Sequence, residues 1–344
     1  MVTPKEVLDA TNATHRKLLD TFGDHIPIVT SPTDLPVNPD QRRLYVASHI
    51  SHFDSVALLY SIITQGHRAP RVVCGENLFH PIVSGMMEKW IGIHPKKYGA
   101  IMIPRDPRKV KQVFQDIRSS FEQGHDVLIF PEVHTVGSHK KTGRSYSGLV
   151  GEVASLATGA IIAANVTNKA IVPVHASYSW VPESVKYPRF QSRDKSTLCG
   201  WVAHSVDELA TFVTLYDNIT SVQVDIGAPI LVNGADNTKR KSLTLTAQTT
   251  LRSLVPFHPV NSLCYLLQSG SHSWEQLREQ HGEFLTQKVF AAGHTYIGDE
   301  GNGFDYGKIL LSKNGIITTD SNNITVLNPA VVQYYANQVA HHFD

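Results

Sequence analysis

A chain of 344 residues with 42% hydrophobic and 18% charged residues can bury a large core, and its formal net charge of +1 excludes a bulk nucleic-acid binder. Glycine and proline are scattered, without repeats or low-complexity tracts, which excludes a disordered or repeat protein. The cysteines, Cys74, Cys199 and Cys264, are odd in number, far apart and without metal-ligand spacing, so a reducing compartment is expected and a disulfide framework is not.

Residues 1–22 read as a helix on Val7, Leu8, Leu18 and Leu19, with no apolar signal core ahead of them, and a proline-rich connector covers 26–39. From Gln41 onward short apolar runs at 44–47, 71–74, 100–103, 127–130, 171–174 and 222–226 predict strands. Helical patterns fill the gaps at 56–64, 82–90, 107–123 and 149–157. This alternation predicts an α/β fold, a mixed, largely parallel sheet flanked by helices, with helical N- and C-terminal additions. After Gly234 helices are expected at 243–254, 260–267, 273–289 and 329–343, with a small strand pair around Ile309 and 316–326. The expected organisation is a segment and connector over 1–40, a catalytic α/β domain over 41–235 and a mainly helical region over 236–344. The most apolar stretch, 149–166, is broken by Glu152 and too short to span a bilayer. A cytoplasmic location is expected, extending to peripheral docking on a membrane face; 79–87 suits either docking or the core.

Four segments carry chemistry. The first is Ser48-His49-Ile50-Ser51-His52-Phe53-Asp54, directly after the strand at 44–47. A carboxylate at that offset can reach back to one imidazole nitrogen, fix the tautomer and stabilise the imidazolium, while the other nitrogen takes a proton from a bound hydroxyl. His49 is the candidate base and Asp54 its orienter. With 18 histidines in the chain such a pair also arises by chance, as a surface turn, so the other segments matter. The second delivers Arg105 at the end of a strand, where a guanidinium can fork onto phosphate oxygens or simply pair with Asp106 in solvent. The third, Phe130-Pro131-Glu132-Val133-His134-Thr135, ends a buried strand and leads into a polar, basic loop through Lys140, Lys141 and Arg144. Glu132 there can hydrogen-bond substrate hydroxyls or cap the next turn. The fourth is Val172-Pro173-Val174-His175, followed by Tyr178, Trp180 and Pro182. Its proline implies an edge or a bulge, and its apolar wall suits an acyl chain.

In this order the segments resemble those of the glycerolipid acyltransferases over about residues 41–235. The form Ser48-His49-Ile50-Ser51-His52-Phe53-Asp54 is similar to the glycerol-3-phosphate and dihydroxyacetone-phosphate branch. So are Val172 to Glu183, Val224 to Ile230, and the closing segment Val332 to His341. The resemblance implies transfer of a fatty acyl group from acyl-CoA or acyl carrier protein to a hydroxyl of glycerol 3-phosphate or a related acceptor in phospholipid synthesis. It assigns His49 and Asp54 to catalysis, and Arg105, Glu132, Ser51, Lys140, Lys141 and Arg144 to substrate binding. Val172, Pro173 and Val174 would line the acyl pocket. No metal, no cofactor beyond the acyl carrier and no nucleic-acid partner are implied.

One departure stands out: where the family has Glu-Gly-x-Arg, this chain has Glu132-Val133-His134-Thr135, without the small glycine and the second phosphate-binding arginine. Lys140, Lys141 or Arg144 could supply the cation, or the acceptor could lack a phosphate. A binding protein without turnover is the alternative of another class. A zinc hydrolase using His49, His52 and Asp54 would need histidine at positions held by Ile50 and Ser55.

Overall fold

The computed structural model describes residues 28–31, 35, 41–51, 53–92, 94–104, 107–136, 139–142, 155–156, 169–181, 184–185, 203, 206–207, 210, 221–232, 237–268, 270, 273–298, 302–320 and 322–343. The helix expected over 1–22 lies outside them.

The chain enters through β1 (Ile28–Thr30) and β2 (Arg42–Ala47), crosses α1 (Asp54–Thr64) to β3 (Arg71–Gly75), then α2 (Pro81–Ile91), the short α3 (Pro95–Tyr98) and β4 (Ile101–Ile103). Helix α4 (Val110–Glu122) leads to β5 (Val127–Ile129), β6 (Glu132–Val136), β7 (His139–Thr142), β8 (Ser155–Leu156) and the long β9 (Lys169–Tyr178). Strands β10 (Val222–Ile226) and β11 (Ile230–Val232) complete the main sheet, whose order is β1-β10-β9-β2-β5-β3-β4, with β11 also on β9. The β9, β2, β5, β3 and β4 neighbours are parallel, whereas β10 and β11 run antiparallel to β9. This is the mixed, largely parallel sheet that the alternating pattern predicts.

Strands covered on both faces need apolar residues at every position. In β2, Leu44 and Val46 join a core layer with Val113, Ile117 and Phe121 of α4. Tyr45 and Ala47, pointing the other way, pack with Val56, Leu59 and Ile63 of α1. At the N-terminal ends of the strands a buried polar pair replaces apolar packing. The backbone N–H of Arg43 donates to Asp126 Oδ1 at 2.9 Å, and the Arg43 guanidinium lies 4.0 Å from the same carboxylate.

Proline on β9 is not at a sheet edge, since this strand pairs on both sides. It sits at a break: β10 ends opposite Val174 and β11 resumes opposite Ile171. The Pro173 carbonyl accepts from the N–H of Gly227 at 2.8 Å. Within a strand, a residue's N–H and C=O face the same neighbour. The missing donor therefore faces the break, leaving the ladder to β2 intact. A Cβ at Gly227 would stand 3.0 Å from Thr250 Cγ2 and 3.2 Å from the Pro173 carbonyl oxygen, which is why glycine fits this close approach.

The C-terminal elements are α5 (Asn237–Ser253), α6 (Pro259–Gln268), α7 (Trp274–Phe284) with a π-helical turn over Leu285–Phe290, α8 (Gly303–Lys313), the hairpin β12 (Ile317–Asp320) and β13 (Asn323–Val326), and α9 (Pro329–Ala340). Ser273 caps α7 through Gln276 N–H, and Asn328 caps α9 ahead of Pro329. Helix α6 packs among α7, α8 and α9, and its Val260 and Leu263 share a core layer with Val172 and Val174.

Several local expectations give way. Ile309 lies in α8 and is exposed, because the segment 303–313 forms one continuous helix ahead of the hairpin. Ser155 and Leu156, expected in a helix, instead pair with Val133 and Glu132 of β6. The basic loop after Glu132 contains the β6–β7 hairpin. Within the proline-rich connector Ile28-Val29-Thr30 forms a strand, parallel to β10; its β-branched residues were the available signal. Among the described residues no helix is long and apolar enough to cross a membrane.

Candidate active site

Strand β2 ends at Ala47 and the chain turns through Ser48 to Phe53 into α1, at the C-terminal end of the parallel strands. Asp54 opens that helix and is buried, only 1% exposed. Its Oδ2 accepts from the backbone N–H of Ile50 at 2.6 Å and of Ser51 at 2.9 Å, and lies 2.9 Å from His49 Nδ1. Its Oδ1 accepts from the Tyr178 hydroxyl at 2.6 Å. The turn is tightened by Asp54 N–H donating to the Ser51 carbonyl at 3.2 Å, while Ser51 Oγ accepts from Phe53 N–H at 3.1 Å.

This arrangement assigns the tautomer. A backbone N–H can only donate, so Oδ2 is an acceptor and the His49 contact is given by Nδ1–H. Nε2, across the ring, is then the basic nitrogen. The His49 side chain is 15% exposed against 1% for Asp54, so the ring keeps an edge in contact with solvent while the carboxylate is shielded from it. Phe130, of the third segment, sets its ring 4.7 Å from that of His49, centroid to centroid. Tyr334 of α9 donates to the Ile50 carbonyl at 3.4 Å, bringing the C-terminal helix onto the turn.

The other expected residues are placed as follows. Ser51 is buried, and its hydroxyl accepts from the turn's own backbone. Ser48 Oγ lies 2.6 Å from Nδ1 of His175, a fully buried imidazole pushed down to about 3 by burial first and then by His341, His258 and His342. Glu132 begins β6, and Lys140 and Lys141 lie on β7, opposite Thr135 and His134. Arg105, Arg144, His52 and Pro182 lie outside the described residues. Val172 and Val174 are enclosed in the core under α6, and Pro173 is buried between them. A cleft of about 360 Å³ beside the end of β4 is lined by Arg108, Lys109, Lys111 and Asp116 among others, and by no residue of the His49 turn. Among the described residues no cluster of three or more histidine, cysteine or acidic side chains is arranged to hold a metal.

Two contributors were missed from sequence. Tyr178, read as apolar wall, turns its hydroxyl to Asp54, and Phe130 packs its ring against that of His49. A buried tyrosine needs a partner for its hydroxyl, and this was the signal that could have singled out Tyr178.

Residues 28–177 match the family model described as Acyltransferase. The chain is 25% identical over 205 residues to a glycerol-3-phosphate acyltransferase of Pseudomonas putida, covering 58% of this chain and 22% of that protein. It is 29% identical over 148 residues to a glycerol-3-phosphate acyltransferase of Pseudoalteromonas atlantica, covering 42% of this chain and 17% of that one. The matches thus span about a fifth of the length of these curated relatives. Among solved structures, the chain is similar to the 1-acyl-sn-glycerophosphate acyltransferase of Thermotoga maritima, with a TM-score of 0.43 and 15% identity over 72% of this chain and 78% of that one. The matched stretch runs from β1 through the His49–Asp54 turn to the residue before Tyr178, so this part of the chain is similar to glycerolipid acyltransferases.

Proposed function

We propose that the protein transfers a fatty acyl group from a thioester carrier, acyl-CoA or acyl carrier protein, to a hydroxyl of glycerol 3-phosphate or a related phosphorylated acceptor. The observation that carries this is the His49 Nδ1–Asp54 Oδ2 contact at 2.9 Å, with the carboxylate buried and the imidazole reachable. In this reading His49 Nε2 removes the acceptor's hydroxyl proton as the oxygen attacks the thioester carbonyl carbon. Asp54 stabilises the imidazolium through Nδ1–H. The tetrahedral intermediate collapses with cleavage of the C–S bond, and the imidazolium returns its proton to the leaving thiolate.

The acceptor's phosphate needs a cation, and Arg105 is the first candidate. The hairpin register suggests the second: Lys140 is the Cα partner of Thr135, the position at which the resemblance expects arginine. The register thus sets a lysine position beside the one where the motif lacks its arginine, and in this reading Lys140 carries that charge. Lys141 is the Cα partner of His134. The names of the two bacterial relatives support a glycerol 3-phosphate acceptor.

The test is thiol release from a long-chain acyl-CoA with glycerol 3-phosphate and dihydroxyacetone phosphate offered separately. Release that requires one acceptor and vanishes in His49→Ala supports the reading, and Lys140→Ala should then raise the acceptor's KM about tenfold with little change in kcat. Undiminished release by His49→Ala would remove His49 as the base. Acyl binding with no release toward either acceptor would instead favour a protein altered in acceptor, in carrier or in turnover itself.

A further inference from the structure

We propose that Tyr178 is a positioning residue for the base, acting through Asp54; the proposal rests on the reaction assigned above to His49. Its hydroxyl lies 2.6 Å from Asp54 Oδ1, and both side chains are 1% exposed. The contact joins the end of β9 to the first turn of α1 on the core face shared by Val172, Val174 and Ala176.

The carboxylate's two oxygens have different surroundings. Oδ2 carries the Ile50 and Ser51 N–H groups and His49, all from the chain immediately preceding Asp54. Oδ1 takes the phenol from a strand 124 residues away. The terminal torsion of an aspartate is soft, with a broad two-fold profile, so contacts at one oxygen hold the group's plane less firmly than contacts at both. Tyr178 pins the second oxygen. Its own backbone is fixed by β9–β10 pairing, where it is the partner of Val222. The phenol thereby sets the plane in which Oδ2 meets Nδ1–H, and so the direction in which Nε2 points.

The phenol also draws charge from the carboxylate. A hydrogen bond donated to an ionised acceptor is stronger than a neutral one and spreads its charge. With the phenol present, the field that Asp54 places on the imidazolium is moderated. Without it, Oδ2 still held by two backbone donors bears more charge toward His49, and the imidazole should bind its proton more tightly.

The test uses Tyr178→Phe in the full chain, which keeps the ring and removes only the hydroxyl. The expected result is a fall in kcat of about tenfold, with KM for acyl donor and acceptor unchanged, as for loss of an interaction that counts only in the transition state. In the substrate-free protein, the His49 ring titration followed by NMR, identified by difference with His49→Gln, should move up by about half a unit or more. The acidic limb of kcat/KM should follow it. A folded variant with wild-type kcat and an unmoved titration overturns the proposal, as does lost thermal stability with neither change. If Tyr178→Phe does not fold, 3-fluorotyrosine at this position, a stronger donor of almost the same shape, should move the His49 titration down; an unmoved titration there also overturns it. Because the titration needs no substrate, absence of thiol release in the wild type would count against the proposed reaction, while a moved titration would still support Tyr178.

Discussion

Ser48 Oγ lies 2.6 Å from His175 Nδ1, so the residue preceding His49 is tied to the same strand that holds Asp54 through Tyr178. Positions 175 and 178 differ in parity and project from opposite faces of β9. One strand thus grips the His49 turn from both sides of the sheet. His175 does so beside a group of further imidazoles, the buried His258 and the half-buried His341 and His342, in which His341 and His342 have ring centroids 4.2 Å apart, as do His294 and His342.

That group predicts acid sensitivity. Burial first, then neighbouring imidazoles, pushes His175 and His342 down to about 3, and burial pushes His258 down to about 4. Folded values below the ordinary 6.5 mean that the unfolded chain binds these protons more tightly. The stability is therefore full above about pH 6.5 and is lost as pH falls from there toward 4. Each such group removes up to about 1.4 kcal/mol per pH unit in that window. The urea midpoint should drop clearly between pH 7.5 and pH 5, and His258→Leu should flatten the decline; a midpoint independent of pH would refute this.

Asp54→Asn should leave the fold cooperative and lower kcat steeply. An amide can keep its oxygen toward the Ile50, Ser51 and His49 donors and give its NH2 to the Tyr178 hydroxyl, which accepts as well as donates, but it carries no charge. The imidazolium formed in proton transfer thus loses its countercharge. Replacing the orienting aspartate by asparagine costs on the order of 10⁴ in kcat in the serine-protease case. Thiol release at saturating acceptor is the measurement, and a loss smaller than about tenfold would show that Asp54 does not orient the base.

Asp126→Ala addresses stability alone, at the other end of the strands. It removes the acceptor of Arg43 N–H and the carboxylate 4.0 Å from the Arg43 guanidinium, both residues being buried. Breaking a buried pair from one side costs about 3–5 kcal/mol. Denaturant unfolding should show a loss of that order. The KM values of whatever variant remains folded should be unchanged, because the pair is remote from the C-terminal ends of the strands.

Tyr335→Phe examines how α9 closes over the end of β9. The Tyr335 hydroxyl accepts from the buried Val181 N–H at 2.8 Å, and its ring stacks on Trp180 at 5.1 Å. The substitution keeps the stack and strands a backbone donor, at a cost of about 1–3 kcal/mol. A thermal midpoint equal to wild type would mean that another group satisfies Val181.

Much of the sheet was legible because parallel strands covered on both faces require apolar runs, and 44–47, 71–74 after its leading Arg71, and 127–130 are such runs. The His49–Asp54 pair was legible for a related reason: its geometry is completed within five residues by one turn, so spacing alone constrains it. Where local pattern and long-range pairing compete, pattern misleads. Ser155 and Leu156 suit a helix by periodicity and are captured as a strand by β6, whereas Ile309 looks like strand and is carried into α8.

By itself, then, the sequence determined the α/β class, the succession of most strands and helices, and the local pairing of His49 with Asp54, because each depends on neighbours along the chain. Tertiary structure alone decided that β9 lies inside the sheet with its proline at the β10–β11 break, that Tyr178 and Ser48 are bound across 124 and 127 residues, and that Lys140 is the Cα partner of Thr135. Those contacts depend on strand order and register, which are set by the combined burial of many distant apolar side chains and leave no periodic trace in the residues that finally meet.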